Sequence, residues 1–159
     1  MLRSIGNGSL KSARPHRLIC LSRPAFAVSS DWVMGSLVEL LDDGLRHNTQ
    51  NGITGILAVE GNRFLQVLEG ERVALERIFL RLSFDPRHYD FIRVREGPII
   101  WRAFSDWTVT FAPPACQSGT RSQTIGFDNL SADELLKRAQ KIRQTGMVCD
   151  VQIPVHKHG

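Results

Sequence analysis

The stretch that decides the fold is HNTQNGITGILAVEGNRFLQVLEG, His47 to Gly70. Two apolar runs, Ile53–Val59 and Phe64–Leu68, meet at Glu60-Gly61-Asn62-Arg63, which is the pattern of a β-hairpin. In the second run Gln66 stands among Phe64, Leu65, Val67 and Leu68. A glutamine so placed either points to a wet face of the sheet or needs partners for both ends of its amide. Buried and unpaired, it costs about 1–3 kcal/mol. A bound polar ligand is one way to meet that need.

Outward from the hairpin, helical and extended patterns alternate. His16–Ser22 (HRLICLS) is a short apolar run and reads as a first strand. Val33, Leu37, Leu40, Leu41 and Leu45 follow the spacing of an amphipathic helix over Asp31–His47, which Asn48–Asn51 and Gly52 bring to an end. Beyond the hairpin, Val73, Leu75, Ile78, Phe79 and Leu82 mark a second helix. It stops near Phe84, because Pro86 disfavours helical geometry at Asp85. Phe91–Arg95 and Trp107–Phe111 supply two more strands around the loop Gly97–Asp106. The order strand, helix, strand, strand, helix, strand, strand predicts an α+β, ferredoxin-like sandwich: a mixed sheet with two helices on one face.

The flanks are simpler. Residues 1–15, MLRSIGNGSLKSARP, are basic and rich in Ser and Gly without an apolar core, so they read as a flexible extension or an over-long start rather than a secretory signal. Residues 16–114 form the folded domain, closed by Pro113 and Pro114. In 115–159, Ala115–Asp128 reads as a polar linker and Ser131–Arg143 as a short C-terminal helix. That helix carries a capping box at Ser131 and Glu134 and an apolar stripe of Leu135, Leu136, Ala139 and Ile142, which docks on a sheet or a partner.

Composition excludes several classes. Of the 20 cations, 16 are arginine, and the net charge of +4 is spread among acids rather than gathered in a basic stripe, so no nucleic-acid site is predicted. No apolar run approaches the roughly 20 residues of a membrane span. Cys20, Cys116 and Cys149 are odd in number and form no CxxC pair, which points to a reducing, cytoplasmic setting and to no structural metal. His156 and His158 sit in a polar tail.

Five pieces in this order resemble the BLUF family of flavin-binding blue-light sensor domains: RLICLSR (Arg17–Arg23), RHNTQNGITGIL (Arg46–Leu57), FLQVLEG (Phe64–Gly70), FDPRH (Phe84–His88) and RAFSDW (Arg102–Trp107). The resemblance implies a flavin, with FAD and FMN both open, whose ring lies between the two helices. It implies that Asn48 bonds the pyrimidine edge of the ring and that Gln66 bonds near its N5 and O4 and rearranges on illumination. His47, Arg81 and Asp85 match positions that contact the cofactor or its ribityl side, Arg87 and His88 complete the loop motif, and Trp107 matches a tryptophan beside the ring. An amide suits such an edge because it carries both donors and an acceptor. Each residue also has an ordinary reading: Asn48 as a helix C-terminal residue, Arg81 as a surface cation, Asp85 as a turn residue before Pro86 and Trp107 as core.

Two positions depart from the family. Cys20 stands where the family carries a tyrosine that gives an electron and a proton to the excited flavin. Val109 stands where relatives have methionine. The only tyrosine, Tyr89, lies far along the chain from that position. The resemblance therefore implies a flavin-binding light sensor, not an enzyme, that signals through an unidentified downstream protein, with its usual photochemistry impaired. The alternative is a degenerate BLUF-like regulatory or protein-interaction module without photoactivity. The sheet face away from the two helices, the C-terminal helix and the tail are the candidate contact surfaces, and homo-oligomers stay open. An acylphosphatase-like hydrolase is disfavoured, because Arg23-Pro24-Ala25-Phe26 is a poor anion nest.

Overall fold

The computed structural model describes residues 13–26, 36–112 and 125–148. Strand β1 (His16–Pro24) leads to helix α1 (Ser36–Gln50), the hairpin β2 (Thr54–Glu60) and β3 (Arg63–Gly70), helix α2 (Arg72–Ser83), and strands β4 (His88–Pro98) and β5 (Trp107–Phe111). A 3-10 turn at Phe127–Asn129, helix α3 (Ala132–Thr145) and a two-residue strand β6 (Met147–Val148) follow. The sheet order is β4-β1-β3-β2-β5-β6. β2 and β5 run parallel and the other neighbours antiparallel. This is the mixed, ferredoxin-like α+β sheet that the alternation of elements implies.

Local chemistry explains most boundaries. Gly61 takes the first central position of the hairpin with φ 56, a conformation that glycine adopts at little cost. Gly55, at the start of β2, has φ 143, and a Cβ there would lie 1.9 Å from the Val67 carbonyl oxygen, so no other residue fits that close crossing of backbones. α1 runs to Gln50, three residues past its expected end at His47. The Asn48 carbonyl accepts the Ile53 N–H at 2.8 Å, and Gly52, at φ 65, turns the chain back into β2. The expected start of α1, with Val33, lies outside the described residues.

Alternation on the strands sorts side chains to two cores. Leu18, Cys20, Phe64, Leu68, Leu57 and Val109 face α1 and α2, where Leu75, Ile78, Leu82 and Trp107 join them. Ile19, Leu21, Leu65, Val67, Ile56 and Ala58 face the other way, onto Leu135, Ala139 and Ile142 of α3. The capping box at Ser131 and Glu134 forms as the sequence implies, with bonds of 3.3 and 2.7 Å.

Four expectations need correction. Val73 is 61% exposed, because the buried stripe of α2 runs through Leu75, Ile78 and Leu82 and leaves Val73 on the opposite side. β4 is longer than Phe91–Arg95; as an edge strand bonded only to β1 it keeps charged residues outward, and its bulge breaks the apolar alternation. The segment read as a linker contains Phe127, which is 1% exposed and packs in the α3-side core. Finally, the sheet face away from α1 and α2 is not open for docking, since α3 covers it.

Phe127 pins α3 to the sheet from outside the helix. Replacing it with alanine should lower stability by about 3–5 kcal/mol, as for other large aromatic deletions in cores. Urea unfolding followed by circular dichroism measures this, and a loss below about 1 kcal/mol would mean that α3 is not docked through this ring.

Candidate functional site

A cleft opens between α1, α2 and the sheet, and its walls come from four elements. Gln66 of β3 and Leu57 of β2 form the floor, Gly44 and Asn48 of α1 one side, Ile78, Arg81 and Leu82 of α2 the other, with Trp107 of β5 between floor and α1. Asp85 and Arg87 stand in the loop after α2, at the mouth, where a shallower depression shares them with Arg81 and adds Asp43 and Pro86.

The polar groups in this cleft carry its chemistry. Gln66 is 7% exposed and Asn48 6%. Strand alternation puts Gln66 on the helix-covered face, between Phe64 and Leu68, so the wet-face reading is wrong. Both amides line the cleft and neither makes a side-chain hydrogen bond among the described residues, while the indole N–H of Trp107 is buried without a partner. Buried polar groups are nearly always satisfied. Two cleft-lining amides without a protein partner, with a buried and unpaired indole N–H on the same cleft, suit a flat ligand with donors and acceptors along its edge.

Across the sheet, register lines up Arg93, Cys20, Gln66, Leu57 and Val109. Cys20 is the direct neighbour of Gln66, 1% exposed. Burial pushes its thiol up to about 12, against a smaller opposing effect of the Arg93 charge. Thiolate is therefore scarce at neutral pH, and Cys20 offers Gln66 only a weak S–H donor. Val109 lies one strand beyond Leu57 and offers nothing polar.

The mouth is held by an ion-pair clasp. Arg87 donates to Asp85 through Nε at 2.9 Å and Nη2 at 2.7 Å, its backbone N–H adds a bond of 2.9 Å, and Nη1 reaches Asp43 on α1 at 2.9 Å. Burial disfavours the Asp85 charge, but the bonds from Arg87 outweigh it and hold this carboxyl below the ordinary range. Arg87 thus ties the loop after α2 to α1. Arg81, exposed at the same mouth, has no carboxylate partner within salt-bridge distance among the described residues, which leaves a cation free for an anionic group.

Of the residues that the sequence singles out, Asn48, Gln66, Arg81, Asp85, Arg87 and Trp107 come together here. His47 and His88 do not line the cleft. His88 is buried; its Nε2–H donates to the Leu82 carbonyl at 2.7 Å and its ring meets Phe91 edge-on, so it fastens the end of α2. Gly44 is the functional position that sequence reasoning missed. A Cβ there would come within 2.9 Å of the Trp107 ring, so the glycine lets the indole pack against α1. A glycine inside a helical pattern was the available signal. Leu57, Ile78 and Leu82 read as core and are core, with one edge on the cleft.

Comparison with known proteins agrees with this fold. The family described as "BLUF: Sensors of blue-light using FAD" matches residues 16–110. The beta subunit of a photoactivated adenylate cyclase of Euglena longa is 38% identical over 77 residues, which cover 48% of this chain and 9% of that protein. Among solved structures, the dark state of BlrB, a BLUF protein, is 32% identical with a TM-score of 0.52, covering 62% of this chain and 71% of that one. The photo-activated state of BlsA has a TM-score of 0.67 at 22% identity, covering 80% and 94%, and speaks for the fold. Fold and family match define a small sensor-type α+β domain with a cleft between its helices and sheet. The chain belongs to the BLUF family.

The buried imidazole of His88 makes stability depend on pH. Burial lowers its pKa from 6.5, partly offset by the bond to Leu82, and a second proton would fall on Nδ1, which is buried and unpartnered. This stability is complete above the unfolded pKa of about 6.5 and is lost as pH falls toward the lower folded value. His47 shifts the same way, by burial first and Arg81 second. The Asp85 loss comes later, as pH falls below 3.8. Melting temperatures should therefore drop between pH 7.5 and 5.5, and His88→Gln, which keeps the donor and cannot titrate, should reduce that drop. Equal slopes in both proteins would remove His88 from the account.

Proposed function

We propose that this chain is a FAD-binding sensor domain of the BLUF type, signalling through contacts with a partner protein in the cytoplasm. Its ordinary light switch is weakened at Cys20. The observation that carries the reading is the cleft wall on which Asn48, Gln66 and Trp107 present polar atoms without protein partners. No helix among the described residues is long and apolar enough to cross a membrane, and Cys20 is a free, buried thiol. Adenylate cyclase activity is said of the Euglena protein. Our chain matches only 9% of that length.

Asn48 and Gln66 would hold the polar edge of the flavin, each able to donate and accept. Arg81 would meet a phosphate or the ribityl hydroxyls at the mouth, while Asp85 and Arg87 keep that loop against α1. Bound oxidised flavin supplies blue absorption and an excited state that takes up an electron. The family's donor for that step is a phenol, and here the residue beside Gln66 is a thiol held protonated to about pH 12. Trp107 lines the cleft and can quench the excited state, yet it is not the hydrogen-bond partner beside the Gln66 amide that the phenol would be. The second reading, a regulatory interaction module without photoactivity, draws on this same position.

The test uses purified protein titrated with FAD, FMN and riboflavin and then lit with blue light. FAD should bind, and the parent chain should show no red-shifted state. Cys20→Tyr, with or without Val109→Met, should restore a red shift that decays in the dark, and adding Gln66→Leu should abolish it. A normal photocycle in the parent would refute the argument from Cys20. A colourless protein at saturating flavin would refute flavin binding and leave the interaction module.

A further inference from the structure

The cleft accounts for Gln66 and Trp107 but leaves Glu69 unexplained. This carboxylate is 0% exposed and lies on the α3 side of β3, the face of Leu65 and Val67. Oε1 accepts Arg17 Nε at 2.7 Å and the Ala103 N–H at 3.1 Å; Oε2 accepts the N–H groups of Ala103 at 2.8 Å and Phe104 at 3.1 Å. Arg102 reinforces the contact from the loop's side, since Nη1 donates to the Glu69 carbonyl at 3.1 Å, the Gly52 carbonyl at 2.8 Å and Thr54 Oγ1 at 3.1 Å. All three acceptors belong to the end of β3 or to the passage from α1 into β2.

The segment so fastened is the last part of the loop before β5, and Trp107 follows three residues after Phe104. Phe104 is buried in the α3-side core, while Trp107 crosses to the other face and enters the cleft. Beyond the clasp, this turn is also held by the Gly55 N–H bond to the Asp106 carbonyl at 2.8 Å, the pairing of Gly55 with Trp107, and a 3.4 Å contact from Arg143 of α3 to the Asp106 carboxylate. A buried carboxylate is costly unless it is paired and fully hydrogen-bonded; here Arg17 supplies the ion pair and two successive loop N–H groups supply the remaining bonds. A neutral acceptor would close the loop with less desolvation, so the charge makes for a stiff hold.

We propose that Glu69 is a positioning residue for the cleft: its clasp on Ala103 and Phe104 fixes the loop that keeps the Trp107 indole in the cleft that Gln66 lines. β3 then carries both Gln66 and the group that places Trp107, three residues apart on opposite faces. The link to a flavin rests on the function proposed above, whereas the placement of Trp107 can be read without any flavin.

The experiment measures acrylamide quenching of Trp107 fluorescence in flavin-free protein carrying Trp32→Phe and Trp101→Phe. In this parent the indole should be protected. Glu69→Gln keeps one acceptor and sets its NH2 either against Arg17 and the Ala103 N–H or against the N–H groups of Ala103 and Phe104, so the clasp loses bonds in both rotamers. Quenching should then rise toward that of free tryptophan while melting stays cooperative. Arg102→Ala, which removes an exposed side chain, should raise it in the same direction by less. A folded Glu69→Gln protein with Trp107 as protected as in the parent would overturn the proposal. If Glu69→Gln fails to fold, unchanged quenching in Arg102→Ala would overturn it. FAD titration of the parent forms a separate arm: absence of binding there counts against the flavin reading and leaves the quenching result to decide on Glu69.

Discussion

The structure turns on one buried amide. Gln66 sits on the helix-covered face of β3 between Phe64 and Leu68, with Cys20 on one neighbouring strand and Leu57 on the other. An apolar side chain would suit that position better if packing were its only task, because unpaired buried amides cost about 1–3 kcal/mol. The surrounding elements are arranged around it. α1 ends where Asn48 can reach the same cleft, Gly44 admits Trp107, and Arg87 closes the mouth by joining the loop after α2 to α1.

The row through Gln66 bears on the proposed light switch. Its outer member, Arg93, is held by Glu76 at 3.0 Å and stacks over Phe79 at 3.8 Å, so its charge is engaged with α2. Cys20 then meets Gln66 with a protonated thiol, and Val109 closes the row with an apolar side chain. In the proposed reading the amides of the cleft would recognise a flavin edge, while Cys20 and Val109 would give a rotated glutamine no strong partner. On that reading Gln66 serves both binding and switching, Asn48 of α1 serves binding alone, and Cys20 and Val109 bear on switching alone.

Much of this was legible beforehand. Strand and helix periods gave the hairpin, α2 and the alternation that defines the sandwich, and Ser131 with Glu134 marked the start of α3. What stayed hidden was tertiary. Phe127 in a polar stretch is one apolar residue without period, and only the docked α3 explains its burial. β4 reads as charged because it lies at the edge, and Val73 satisfies a helical spacing while facing water. The two-residue β6 depends on pairing with β5. In the site, periodicity could not tell which face Gln66 takes, because its neighbours on both sides are apolar and both faces of the sheet are covered. The role of Glu69 was equally invisible, since its partners lie more than thirty residues on, in backbone N–H groups.

The most direct test observes the Gln66 side-chain amide itself, by 15N-edited NMR with assignment through Gln66→Leu, during titration with oxidised FAD. The account predicts that its two NH2 resonances shift and become protected from solvent exchange at one flavin per chain, with the Trp107 indole N–H moving in parallel. Flavin binding that saturates while the Gln66 amide keeps its position and exchange rate would contradict the claim that this amide exists to meet a ligand.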